Sequence, residues 1–269
     1  MYEAHPIFLQ PESEDARVWR YMDFTKFVSF IESRCLYFTR ADNFDDPFEG
    51  SLPKMTVAAR NEVQMRVLSH PDFPEGYQDV ILKQIASTGE INQRWLKFYA
   101  INCWHINEHE SAAMWRLYLK SNEGIAIQST YRKLRESIID DEKVYLGTVK
   151  YIDYEKDFIS HYYDTNSAND FTYNGFSPLI HKRKSFEHER EVRALIWRPP
   201  TTGEERIGYY LDTIAHGVKV RVNVERLVEK IYVAPSAPDW LFDLVNSVSQ
   251  QYGFKFEIVH SKLNEQPLF

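Results

Sequence analysis

The stretch Lys184–Trp197, KSFEHEREVRALIW, decides how this chain is read. As a strand from Glu189 onward, its alternation sends Glu189, Glu191 and Arg193 to one face and Val192, Ala194 and Ile196 to the other. Two carboxylates at i and i+2 lie about 7 Å apart and repel unless they share an arginine, a proton or a ligand. The charged face is therefore either a solvated surface with a local Glu–Arg pair or a paired-glutamate site.

Strand signals dominate around this segment: Leu146–Tyr154 before it, then Gly208–Leu211, Val218–Val222 and Lys230–Ala234 after it. A helix over Pro238–Tyr252 follows, with Ser236 ahead of Pro238 and Gly253 placed as its C′ glycine, and Phe254–His260 reads as a last strand. Toward the N-terminus, strands and helices interleave. Val18–Met22 is a short strand, and Phe24, Phe27, Val28 and Ile31 repeat at helical spacing over Phe24–Arg34, with Asp23 as N-cap. Cys35–Thr39 reads as a strand, Arg40–Gly50 as a loop, and Thr56–Ile91 as helix with a break near His70–Pro74. Phe98–His105 and Gly124–Gln128 are strands, and Ser111–Leu119 and Tyr131–Ile139 are helices. Interleaving early and clustering late predict one α+β domain over residues 1–269. Its core is a mixed or antiparallel sheet with flanking helices, and a helical insertion spans about 56–95. The Gly-rich turn of a dinucleotide-binding Rossmann unit is absent, as is a P-loop.

Composition narrows the function classes. The 269 residues are 43% hydrophobic and 26% charged, enough for a full core without staples. Aromatic residues make up 15%, which leaves rings for stacking on a planar ligand. Against 32 Lys and Arg stand 39 Asp and Glu, so the net charge of −7 does not favour a nucleic-acid partner. No apolar run is long enough for a membrane span, and Met1–Glu14 lacks the basic-then-apolar pattern of a signal peptide. Cys35 and Cys103 have neither metal-type spacing nor a disulfide framework. A cytoplasmic protein with no membrane partner is expected.

Several groups besides the glutamates could carry chemistry. Asp45-Asp46-Pro47-Phe48-Glu49 sits on an extended loop because Pro47 disfavours helix at Asp46; it caps, turns, or holds a hard cation. His105-Ile106-Asn107-Glu108-His109 matches the H-x-x-E-H zinc pattern, but it closes a strand and runs into a turn, so no metal is expected there; His105 alone could line a pocket. Met114, Trp115 and Tyr118 share a helix face, with Tyr118 able to turn its ring or hydroxyl to a cleft. Arg20, between Trp19 and Tyr21, needs an anion if buried: Glu49, Glu189 or a bound phosphate. The run His181-Lys182-Arg183-Lys184 reads as a solvated loop or a phosphate attractor, with no lysine placed against the glutamates.

Trp19-Arg20-Tyr21, Leu36-Tyr37-Phe38, Asp45 to Glu49, Cys103-Trp104, Met114-Trp115 with Tyr118, Gly124-Ile125-Ala126-Ile127 and Glu189-x-Glu191-x-Arg193 occur in one order. Over residues 18–197 this set resembles the bacterial domain-of-unknown-function family 2971. The chain departs from that pattern with Asp45 for Asn, Phe186 for Trp, Trp104 for Phe and His105 for Ser. The family implies no established activity. The order of a strand carrying Arg20, a helix to Arg34, a strand with Leu36 and a late strand-borne glutamate is also similar to ADP-ribosyltransferase-like domains. That resemblance implies NAD as substrate, Arg20 on its ribose or phosphates, and Tyr118 (or Ser129-Thr130) framing the nicotinamide. Glu189 or Glu191 would complete the site.

Three functions follow as expectations. In the first, an NAD-consuming transferase or glycohydrolase, Glu191 stabilises an oxocarbenium-like ribose and Glu189 aims the acceptor. In the second, a metal-dependent nuclease or phosphodiesterase, Asp45, Asp46, Glu49, Glu189 and Glu191 converge on Mg²⁺. In the third, a non-catalytic ligand-sensing module of a bacterial stress or phage-defence system, an aromatic pocket with Arg20 and Arg193 binds a small nucleotide. The first is the reading adopted, with sites at Glu191, Glu189, Arg20, Arg193, Tyr118, Asp46, Glu49 and His105, and with the acceptor open.

Overall fold

Asp23 joins the first two elements. Its carboxylate accepts from the Lys26 amide at 2.8 Å and starts α1 (Phe24–Ser33) directly off β1 (Arg17–Asp23). Phe27, Phe30 and Ile31 enter the core, and the helix stops where Arg34 takes left-handed backbone at φ 53°. The chain then returns as β2 (Cys35–Arg40). These details come from a computed structural model that describes residues 1–71, 76, 78–119, 122–159, 163–164, 172–173, 175–199 and 213–267.

The remaining elements follow in order. Where a helical insertion is expected, two helices stand, α2 (Lys54–Leu68) and α3 (Gln78–Trp95), succeeded by β3 (Tyr99–Ile106), α4 (Ala112–Tyr118), β4 (Gly124–Thr130) and α5 (Tyr131–Ser137). Then come β5 (Val144–Thr148), β6 (Lys150–Ile152), β7 (Tyr163–Asp164), β8 (Thr172–Tyr173), β9 (His181–Arg183) and β10 (Glu191–Trp197). The chain closes with β11 (Gly217–Arg221), α6 (Val224–Leu227), β12 (Lys230–Val233), α7 (Asp239–Gln251) and β13 (Ile258–His260). The fold is α+β. Its main sheet runs β11-β2-β3-β1-β4-β12-β13, with β10 and β5 continuing from the other edge of β3; only β12–β13 is parallel within it.

One irregularity in that sheet creates the cleft. Along one edge β3 pairs with β10 from Tyr99 to His105. Along the other it meets β1 only at His105 and Ile106, and β2 only at Ala100 and Ile101. Between those contacts the strands β1 and β2 splay apart, leaving Asn102–Trp104 without a strand partner on that edge. Side chains fill the gap instead: Asn102 Nδ2 donates to the Tyr37 carbonyl at 2.8 Å. Behind the sheet, Phe27, Phe38, Trp104, Ile127, Leu146, Val192, Val220 and Leu241 form the largest apolar core, against which α1, α5 and α7 pack. On the opposite side Trp19, Tyr21, Met114 and Trp115 make a smaller aromatic cluster under α4.

Where the expected elements shift, the cause is local. Leu146–Tyr154 divides into β5 and β6, which belong to different sheets, β6 pairing in parallel with β9. The C-terminal strand shortens to three residues. The helix expected from Pro238 begins at Asp239 with Pro238 as its N-cap residue, and the Ser236 hydroxyl reaches Asn122 at 3.4 Å. The expected strand Gly208–Leu211 and most of the break after His70 lie outside the described residues. The largest correction concerns Glu189. It ends a 3-10 segment, Lys184–Glu189, and Arg190 takes left-handed backbone at φ 40°, so β10 starts at Glu191 and strand alternation does not reach Glu189.

Candidate functional site

Arg193 is the hub from which the site is built. It is fully buried on β10, and its guanidinium grips both Glu49 oxygens, at 2.5 and 2.9 Å. It also donates to Glu191 at 2.6 Å and to the Leu179 carbonyl at 2.5 Å. Gly50, at φ 68°, turns the chain just after Glu49, and a Cβ there would run into Leu96. Buried and bonded through all three nitrogens, Arg193 positions Glu49 and Glu191 and does not line the cleft. That corrects its expected place in the pocket wall.

Lys182 completes the cluster. Carried in by β9, its ammonium lies 2.5 Å from Glu189 and 2.8 Å from Glu191, with the Phe186 ring 4.7 Å away. A lysine does stand against the glutamate pair, contrary to expectation. The sequence hint was a short run, His181–Arg183, directly after the apolar Leu179-Ile180; it buries His181 and Lys182 in succession although its composition is that of a loop. Glu191 N donates to the Tyr151 hydroxyl at 2.8 Å, a second partner that nothing in the local sequence announces.

Charge counting explains how the pair titrates. Three carboxyl groups (Glu49, Glu189, Glu191) face two cations (Lys182, Arg193), one negative charge in excess if all are ionised. A proton on Glu189 removes that excess. Burial, then its hydrogen bond to Glu191, pushes the Glu189 carboxyl up to about 7. Burial opposes the charge on Glu191 too, but Arg193 and Lys182 outweigh it and hold that carboxyl well below the usual range.

Arg20 stands across the gap. Its guanidinium donates to the Cys103 carbonyl at 2.8 Å, in the opening between β1 and β2, and lies 6.0 Å from the Trp104 ring. Neither Glu49 nor Glu189 reaches it, and among the described residues no carboxylate pairs with it. Burial lowers its proton affinity, with only Cys103 and Tyr118 acting in the other direction. Tyr118, at the end of α4, keeps 43% of its surface exposed at the cleft mouth. Burial and the neighbouring Cys103, Glu191 and Glu189 raise its phenol, so it stays a neutral donor.

His105 lies on β3 between its cross-strand neighbours Trp19 and Glu191. Its Nδ1 is 2.6 Å from the Glu189 carbonyl, and its Nε2 is buried without a partner among the described residues. His109 is exposed in the turn beyond, so the two histidines of the H-x-x-E-H match do not meet on a helix. Asp46 accepts from Arg183 at 2.6 Å and from the Phe48 amide at 3.0 Å; the Arg183 guanidinium sits 4.2 Å from the Phe48 ring and 5.2 Å from that of Phe186. Among the described residues, no three His, Cys, Asp or Glu side chains gather to hold a metal ion.

These parts enclose one cleft of about 640 Å³, within the range of small-molecule sites. It brings together seven of the eight sequence candidates: Arg20, Asp46, Glu49, His105, Tyr118, Glu189 and Glu191. Arg193 alone stands behind the wall. From the acid pair the cleft runs past Arg20 to the α1–β2 edge, where Ser29, Ser33, Cys35 and Lys219 line it.

No protein-family model matches the chain, and no curated protein matches it. The likeness to family 2971 stands on the quoted residues alone. Among solved structures, Thermus sp. 2.9 DarT in complex with ADP-ribosylated ssDNA aligns over 94% of this chain and 97% of its own, with 9% identity and a TM-score of 0.33. A likeness at that level carries no argument about the site. No helix among the described residues is long and apolar enough to cross a membrane.

Proposed function

We propose that the cleft takes a dinucleotide of the NAD type, and that the chain is an ADP-ribosyltransferase-like enzyme or NAD glycohydrolase. One observation carries the reading: Arg20, a cation without a carboxylate partner among the described residues, lines the same cleft as the Glu189–Glu191 pair. An unpaired guanidinium in a partly dehydrated site favours a phosphate, which would supply the missing negative charge. Tyr118 at the mouth offers a ring to the nicotinamide. Glu191, kept ionised by Lys182 and Arg193, is the group for the positive charge that grows on the ribose as the C1′–N bond lengthens. Glu189 orients the acceptor from the adjacent 3-10 segment.

The nuclease reading requires Asp45, Asp46, Glu49, Glu189 and Glu191 to be free for a divalent cation. Four of the five already face Lys182, Arg183 or Arg193. A cation would have to displace those ammonium and guanidinium groups, which the dinucleotide reading does not require.

The test is release of nicotinamide from NAD, followed by chromatography. The wild type should consume NAD and Glu191→Gln should not, with thermal melting run alongside to show that the variant is folded. A folded Glu191→Gln protein that consumes NAD at the wild-type rate overturns the proposal.

A further inference from the structure

The cleft holds several carboxylates but little free basicity. Glu49 has both oxygens on Arg193, Asp46 is held by Arg183, and Glu191 is divided between Lys182 and Arg193. Glu189 shares a proton with Glu191 and accepts from Lys182. Asp45 is exposed at the mouth. Among the described residues, a buried lone pair at the acid-pair end remains without a partner, on His105 Nε2.

The tautomer of that imidazole is fixed by its other nitrogen. A carbonyl oxygen only accepts, so Nδ1, 2.6 Å from the Glu189 carbonyl, must carry the proton. Nε2 is then an acceptor, and only an O–H or N–H group can satisfy it. The residue is 5% exposed, so an empty Nε2 is a desolvated acceptor whose cost a bound donor would recover. His105 is the register partner of Glu191 on the adjacent strand, and both line the cleft. A donor bound to Nε2 would therefore stand next to the reacting centre.

We propose that His105 is the general base of this cleft, taking the proton of the acceptor hydroxyl or water through Nε2. The inference rests on the NAD reading above. In the step, the acceptor O–H proton passes to Nε2 while the oxygen lone pair forms the bond to C1′. The C1′–N bond breaks with its electrons on the nicotinamide nitrogen, cancelling the positive charge there. The imidazolium so formed keeps its Nδ1–H on the Glu189 carbonyl and later yields its proton to solvent. Glu189 thus positions the base through its backbone while its side chain completes the acid pair.

NAD turnover is measured for wild type, His105→Gln and His105→Ala, with imidazole titrated into the alanine variant. A general base predicts a loss in kcat of about 10²–10⁴ with KM changed little, and partial recovery by imidazole. A role confined to packing predicts no recovery. If both variants fail to fold, ¹⁵N spectra of the wild-type imidazole decide: the account requires a protonated Nδ1 and an unprotonated Nε2 at pH 7.5, and the reverse tautomer or an imidazolium overturns it. Wild type that consumes NAD while folded His105 variants match its kcat overturns this inference and leaves the NAD reading standing. Wild type that does not consume NAD overturns both.

Discussion

Arg193 and Glu49, 144 positions apart in the chain, form a two-pronged ion pair with both partners buried. The contact fastens the Asp45–Gly50 loop to the first residues of β10, and so sets the position of Glu191 through the same guanidinium. Burying such a pair gives little net stability, but breaking one side leaves a charge stranded. Glu49→Ala should cost about 3–5 kcal/mol in denaturant unfolding. Glu49→Gln should cost less, since an amide oxygen still accepts from Arg193. Equal losses from the two variants would show that charge does not hold this contact.

Lys182 predicts a different pattern. Lys182→Met removes one of the two cations facing three carboxyl groups, so the Glu189–Glu191 pair should hold its shared proton to higher pH. Titration of the two glutamates by ¹³C NMR reads this directly, with the Glu189 transition moving upward from about 7. An unmoved transition would mean that Lys182 is not what balances the pair.

Glu189 predicts a pH-dependent stability. Its carboxyl is raised in the folded chain, so its contribution is fully present below the unfolded carboxylate range and is lost as pH climbs through about 7. Glu189→Gln places a permanently neutral amide there. The variant should match wild type near pH 5 and exceed it by up to about 3 kcal/mol near pH 8 in urea melts. Parallel stability curves across that window would contradict the shared proton.

Much of this arrangement was legible in the sequence, for identifiable reasons. The alternation of Glu191, Val192, Arg193 and Ala194 located β10, and Asp23 with Phe27 and Ile31 located α1, because both signals are local. Seven of the eight proposed site residues share a cleft because β1, β3 and β10 are neighbours in the sheet. The rest depended on contacts distant in sequence. Arg193 pairs with a loop from the first fifty residues, and Lys182 enters on a three-residue strand whose composition is that of a loop. Nothing near Arg20 indicated that its partner would be the Cys103 carbonyl rather than a carboxylate, because the gap between β1 and β2 is a property of strand pairing.

On the proposed function, the Arg20 guanidinium in that gap is kept for a phosphate. Isothermal titration of ADP-ribose into wild type and Arg20→Gln is the decisive comparison. One saturable site is expected, weakened at least about tenfold by the substitution, with stability lowered by about 1–3 kcal/mol because the Cys103 carbonyl loses its donor. Absence of binding, or equal affinity in the two proteins, would contradict it.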